Sequence, residues 1–282
     1  MGELSMEPHF EGLSIMVDTA ILEAMNLGVT ERLKPLLAAV EAFVEHDVAP
    51  LDEEFLAEVG VGERFVYTPR QTDIIEGLKA KARTLGLWNL FLTEGQGGAG
   101  LTTVEYAYLA EILGRSHLAP EATNCSAPDT GNMEVLANYG SEEQKQTWLT
   151  PLLAGEIRSC FAMTEPDVAS SDATNISMPA LLENGEWVMN GEKTFISGAG
   201  DPRCKIMICM VKTDPENPLH AQHSQILVPM DTPGLEILRP MQVFYQDDAP
   251  QGHMHLRFNN VRVPEKNIIL GRGRGFEISQ GR

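Results

Sequence analysis

The stretch "SCFAMTEPDVASSDATNI", residues 159–176, holds a dense run of small polar groups. It opens as a buried strand reads, with Cys160, Phe161, Ala162 and Met163, and turns polar at Thr164 and Glu165. Pro166, Asp167, Ala169, Ser170, Ser171 and Asp172 follow, rich in hydroxyls and poor in bulk. Such a backbone lets N–H and hydroxyl groups approach a polar or anionic ligand. Further on, "EKTFISGAG" sets an aromatic (Phe195), an aliphatic (Ile196) and a hydroxyl (Ser197) side by side. Small donors beside one aromatic plane suit a flat heteroaromatic cofactor bearing a pyrophosphate. An ordinary hairpin with a serine-rich bend would read the same way.

Other candidates carry less. Glu165 could serve as a general base, but a lone glutamate before a proline is more often a structural hydrogen-bonding group. "GQGGAG", residues 95–100, formally matches G-x-G-x-x-G, yet helical sequence flanks it on both sides. A dinucleotide fingerprint needs a preceding strand and a βαβ unit. "GRGRG" near the end of the chain lacks that setting too. His253 and His255 sit two apart on a strand and face one side, while His220 and His223 lie in a polar loop. Neither pair has a third ligand nearby, so no metal site is expected. Glu142 and Glu143 read as charge favourable to a helix N-terminus.

Composition bounds the partners. The 282 residues carry 40 acidic against 21 basic side chains, a net charge of −19. Nucleic acid and anionic membrane surfaces are therefore poor partners. Cys125, Cys160, Cys204 and Cys209 show no C-x-x-C spacing, which argues for a reducing compartment, bacterial cytoplasm or mitochondrial matrix. No apolar run reaches the roughly 18 residues of a membrane span. The opening "MGELSMEPHFEG" is acidic and resembles neither a secretory signal nor a transit peptide.

The elements that must position these residues fall into two textures. Up to about residue 155 the apolar period is helical. "ERLKPLLAAVEAFVEHDVAP" repeats Leu33, Leu36, Leu37, Val40, Phe43 and Val44, with Pro50 expected to close the helix. "QTDIIEGLKAKARTLG" repeats the pattern, and Thr102 with Glu105 and Ser141 with Gln144 are spaced as capping boxes. From about residue 158 the period becomes two. Asn184-Gly185 and Asn190-Gly191 are both hairpin signals. Helices first and strands afterwards predict an α+β chain with antiparallel sheets and no alternating βαβ.

Several segments, in order, resemble the acyl-CoA dehydrogenase family from about Glu31 onward. They are "LGLWNLFLTEGQGGAGLTTVEYAYLAEILGR", "LANYGSEEQKQTWLTPLLAGEI", "FAMTEPDVASSD", "NGEKTFIS" and "LRFNNVRVPEKNIILGRGRGFEI". The wording "TEPDVASSDATNI" is most similar to the subgroup of family members ten and eleven. The resemblance implies an N-terminal all-α domain followed by an antiparallel β-barrel or sandwich domain. Residues 1–30 would be an extension, 31–157 the helical domain, 158–270 the middle β domain and 271–282 the start of a C-terminal helical domain.

The implied activity is α,β-dehydrogenation of a fatty acyl-CoA, with FAD as cofactor and an electron-transferring flavoprotein as acceptor. An oxidase or a flavin-dependent hydroxylase of the same fold is the alternative. By the resemblance, Phe161, Met163, Thr164, Ser170 and Ser171 would line the flavin and its phosphates. Phe195, where relatives often carry tryptophan, Ile196 and Ser197 would line it from the neighbouring strand. Ser171 would also touch the acyl-CoA. "TEPDVASSD" is one residue longer than the commoner pattern, so Ser170 and Ser171 could exchange roles. Asn124, Asp129 and Asn132 would lie either near the acyl pocket or on a loop face. The family's catalytic carboxylate and a cross-subunit arginine belong to the four-helix C-terminal domain, expected to be absent because "GFEISQGR" ends near its first helix. No catalytic residue is therefore assigned. A catalytically incomplete FAD- and acyl-CoA-binding fragment is a further alternative, and a homo-oligomer is expected of the full-length protein.

Overall fold

A computed structural model describes residues 27–92, 94–96 and 98–281. The expected N-terminal extension, up to residue 26, lies outside the described residues, as does Gly97 of the glycine-rich loop. The helical half begins with Leu33–Phe43, which passes through a π-helical turn, Val44–Val48, into Ala49–Ala57. The first helix therefore does not close at Pro50. That proline lies in the first turn of the continuing segment, where a missing N–H is tolerated, and the wide turn before it rearranges the hydrogen-bond ladder.

Thr68 caps Pro69–Thr84 through a reciprocal pair with Gln71. The expected boxes, Thr102 with Glu105 and Ser141 with Gln144, both form. Leu33, Val40, Phe43, Ile75, Leu87, Leu109 and Leu113 fuse these helices into one core. Asp129–Tyr139 then carries the chain toward the sheets, and its Met133 and Leu136 pack with Ile206, Ile208 and Leu227.

Seven strands follow: β1 (Arg158–Ala162), β2 (Ala180–Glu183), β3 (Glu186–Ser197), β4 (Cys204–Lys212), β5 (His223–Pro229), β6 (Leu235–Pro240) and β7 (His253–Pro264). They form two sheets, ordered β1-β4-β5 and β2-β3-β7-β6. Trp187, Met189, Ile196, Met207, Val228, Met254 and Leu256 share the core that joins them. The pairings are antiparallel as expected, save that β1 runs parallel to β4. The β2–β3 hairpin intervenes between those two strands and belongs to the other sheet, so the chain returns to β1 by a crossover.

Only one of the two Asn-Gly pairs is a turn. Asn184 and Gly185 both take positive φ, 53° and 83°, and close the β2–β3 hairpin. Asn190-Gly191 lies inside β3 at a break in register with β7. A Cβ on Gly191 would stand 2.7 Å from the Met178 side chain, so this glycine serves a close approach. All four cysteines are buried and free. No helix among the described residues is long and apolar enough to cross a membrane.

Candidate functional site

Lys193, in the middle of β3, is 0% exposed. Its ammonium donates to the Met163 carbonyl at 2.8 Å, to the Met210 carbonyl at 2.7 Å and to Glu165 Oε1 at 2.9 Å. One buried cation thus fastens the polar stretch after β1 to strands β3 and β4. Glu165 completes the knot by accepting from the Ser177 and Met178 backbone N–H groups and the Ser177 hydroxyl. Burial alone would raise the Glu165 pKa, but Lys193 and these donors hold it below the usual carboxylate value. These are the bonds expected of a structural hydrogen-bonding group.

The anchor sets the backbone beside it. Thr194 N–H donates to the Thr164 carbonyl at 2.8 Å, and the Thr164 hydroxyl returns a bond to the Thr194 carbonyl. The register of β3 with β7 breaks between Lys193 and Ile196, and Phe195 takes φ +57° there. A bulky residue in the left-handed region is uncommon and marks a place where position outweighs strain. The bulge turns the Phe195 ring outward, 46% exposed, next to Thr164.

Thr164, Ser170, Ser171 and Phe195 border one cleft of about 520 Å³, together with Arg239, Met241 and His255. Phe161, Met163 and Ser171 border a second hollow of about 330 Å³ with Phe276 and Ser279. Ser171, exposed, belongs to both. Ser197 lies in a third, of about 440 Å³, with Arg158, Ser159, Asp248 and His253. There Ser197 Oγ is 2.8 Å from His253 Nδ1, and His253 Nε2 is 3.1 Å from Asp248 Oδ2.

Two expected side chains are buried, although Ser170 borders the cleft. Ile196 is 1% exposed and part of the inter-sheet core, because residues of a strand alternate faces. Ser170 is 2% exposed and its hydroxyl accepts from the Glu165 N–H at 2.6 Å. Only main-chain groups of these two could serve a ligand, so Ser171 presents its side chain. Asn124, Asp129 and Asn132 are buried and form neither a loop face nor an open pocket wall. Asn124 donates to Asn89 Oδ1, Asp129 accepts from the Ser159 N–H and hydroxyl, and Asn132 donates to Ser159 Oγ.

Sequence reasoning missed Lys193 and Arg239, and it weighed His253 only as a metal ligand. His253 and His255 do share one side of β7, but each holds a carboxylate, Asp248 and Glu192. Their spacing shows the shared face and conceals the partners, which come from other segments.

Residues 30–156 match the family described as Acyl-CoA dehydrogenase, N-terminal domain, and residues 160–261 match Acyl-CoA dehydrogenase, middle domain. Acyl-CoA dehydrogenase family member 10 of Mus musculus is 53% identical over 260 residues, covering 90% of this chain and 24% of its own length. Family member 11 of Homo sapiens is 49% identical over 261 residues, 90% of this chain and 32% of its own length. The chain thus spans about a quarter to a third of these curated relatives. A solved Mycobacterium abscessus protein named for the same family superposes with TM-score 0.84 at 49% identity, over 89% of this chain and 63% of that one. A glutaryl-CoA dehydrogenase from Mycobacterium smegmatis, in complex with FADH2, shares the fold at TM-score 0.67 and 24% identity, over 92% of this chain and 60% of that one.

Proposed function

The chain belongs to the acyl-CoA dehydrogenase family, and from that premise we propose that it forms the flavin-facing wall of an FAD-dependent acyl-CoA dehydrogenase. The observation that carries the proposal is the bulge that holds Phe195 outward beside Thr164 and Ser171 in one cleft. An aromatic face, a hydroxyl with a free lone pair and a small exposed serine fit a planar ring system with a phosphate tail. Bound FAD would supply the hydride acceptor for oxidation of an acyl-CoA, and an electron-transferring flavoprotein would take the electrons away.

The chain's own residues have separate tasks in this proposal. Phe195 stacks on the ring system. The Thr164 hydroxyl donates to the Thr194 carbonyl, so toward a ligand it acts as an acceptor. Ser197, held by His253, presents its hydroxyl from a separate hollow. Glu165 and Lys193 touch no ligand and fix the floor. No residue is assigned the abstraction of the Cα proton.

The test is FAD titration of the chain, followed by flavin fluorescence, with an acyl-CoA added to the loaded protein. Saturable FAD binding and a changed flavin spectrum on adding the thioester are expected. A chain that binds neither would sink the proposal. Phe195→Ala should weaken FAD binding about two- to tenfold through lost stacking alone, because a stacked aromatic contributes roughly 0.5–1.5 kcal/mol beyond its area burial. Its effect on the melting temperature of the unliganded chain should be small, since the ring is 46% exposed. A large drop in melting temperature with unchanged FAD affinity would assign Phe195 to the fold instead.

A further inference from the structure

Arg239 stands apart from every other arginine among the described residues. Arg32, Arg64, Arg70, Arg115, Arg158 and Arg203 each hold a carboxylate. So do Arg257, Arg262, Arg272 and Arg274, while Arg83 donates to the Ala154 carbonyl. Among the described residues Arg239 alone has no acceptor, in a chain whose net charge is −19. It is exposed on the wall of the Phe195 cleft, paired across β6–β7 with His255.

The acids around it are engaged elsewhere. Glu192 holds His255 at 2.7 Å and Arg257 at 2.9 Å. Glu236 lies 3.8 Å from Arg257. Glu165, the one carboxylate on the cleft wall, is committed to Lys193. The cleft therefore carries an uncompensated guanidinium along with an exposed phenyl ring and the small exposed Ser171.

We propose that Arg239 is the phosphate-recognition residue of this cleft, gripping a phosphate of a ligand bound there. The proposal rests on the flavin- and thioester-binding reading above and extends it to a residue on β6. A planar guanidinium with five donors matches phosphate oxygens in a bidentate fork. The phosphate could be the diphosphate of FAD or a phosphate of CoA, and the experiment separates them.

Calorimetric titrations compare the chain with Arg239→Gln and Arg239→Lys, using FAD, riboflavin, CoA, pantetheine and inorganic pyrophosphate. Arg239→Gln should lose about tenfold or more in affinity for a phosphate-bearing probe, the effect of one charge-assisted contact. Riboflavin and pantetheine should bind both proteins alike. Arg239→Lys should recover part of the loss, and the difference should shrink in high salt. A loss confined to FAD assigns the flavin diphosphate, and a loss confined to CoA assigns the thioester's carrier. Equal affinity of chain and Arg239→Gln for every phosphate-bearing probe overturns the inference and leaves the flavin reading standing. Pyrophosphate bound through Arg239 by a chain that takes up no FAD would support the inference and sink that reading.

Discussion

Lys193→Met is expected to cost the fold about 3–5 kcal/mol, the range for removing one partner of a buried ion pair. Lys193 and Glu165 have side chains 0% and 5% exposed, so water cannot replace the lost ammonium. The substitution keeps the hydrophobic stem and deletes the charge. It leaves the Met163 and Met210 carbonyls without this donor and Glu165 without its cation. Urea unfolding should show the loss as a lower midpoint. Glu165→Gln should cost a similar amount, since it leaves the ammonium buried with two carbonyls alone. The double substitution should cost less than the sum, because each single change strands the other charge.

The pH dependence has a definite sign. The folded-state pKa of Glu165 lies below its unfolded value, so its contribution is present above the unfolded pKa, about 4.3. It is lost as pH falls through the folded pKa. The gap between the chain and Glu165→Gln should be full near neutrality and narrow in acid. A Glu165→Gln protein of unchanged stability at neutral pH, in which acyl-CoA no longer perturbs bound flavin, would restore Glu165 as the base.

These residues show what the sequence could and could not convey. Thr102 with Glu105 and Ser141 with Gln144 are local devices, both partners within one helical turn, and both appear as expected. The change of apolar period near residue 158 likewise falls at the first strand. Lys193 was unreadable because its partners, Met163, Glu165 and Met210, lie 30, 28 and 17 residues away. Period-two alternation already places Ile196 opposite its neighbours, so grouping it with Phe195 and Ser197 ran against strand geometry. The bulge at Phe195 left no compositional trace, since phenylalanine is not a residue that favours positive φ. Arg239 was invisible for another reason: its significance is the lack of a partner, which only packing reveals.

Glu121→Gln is expected to destabilise the chain by about 3 kcal/mol and to loosen the helical half from the sheets. Glu121 is 3% exposed at the centre of a charge cluster. Lys79 from the helical half lies 3.2 Å away, and Arg158 and Arg203 from the strand half lie 2.5 and 2.6 Å away. The Arg158 contact is an ion pair off the hydrogen-bond line, whereas Arg203 Nη1 donates to the carboxylate directly. Tyr67 adds its hydroxyl at 3.1 Å, and the Arg203 guanidinium lies 4.0 Å from the centre of the Tyr67 ring. Burial raises the Glu121 pKa, and the three cations more than reverse it, holding the group ionised. A neutral glutamine keeps the shape and removes the charge that the cations share. The cost sits at the low end of the buried-pair range because each cation retains another acid: Lys79 has Glu76, Arg158 has Asp129 and Arg203 has Asp201. Amide exchange should therefore speed up around residues 119–122 and 201–204 before the cores of either half open. Exchange that rises uniformly across both cores would mean that the cluster contributes to global stability without joining the two halves.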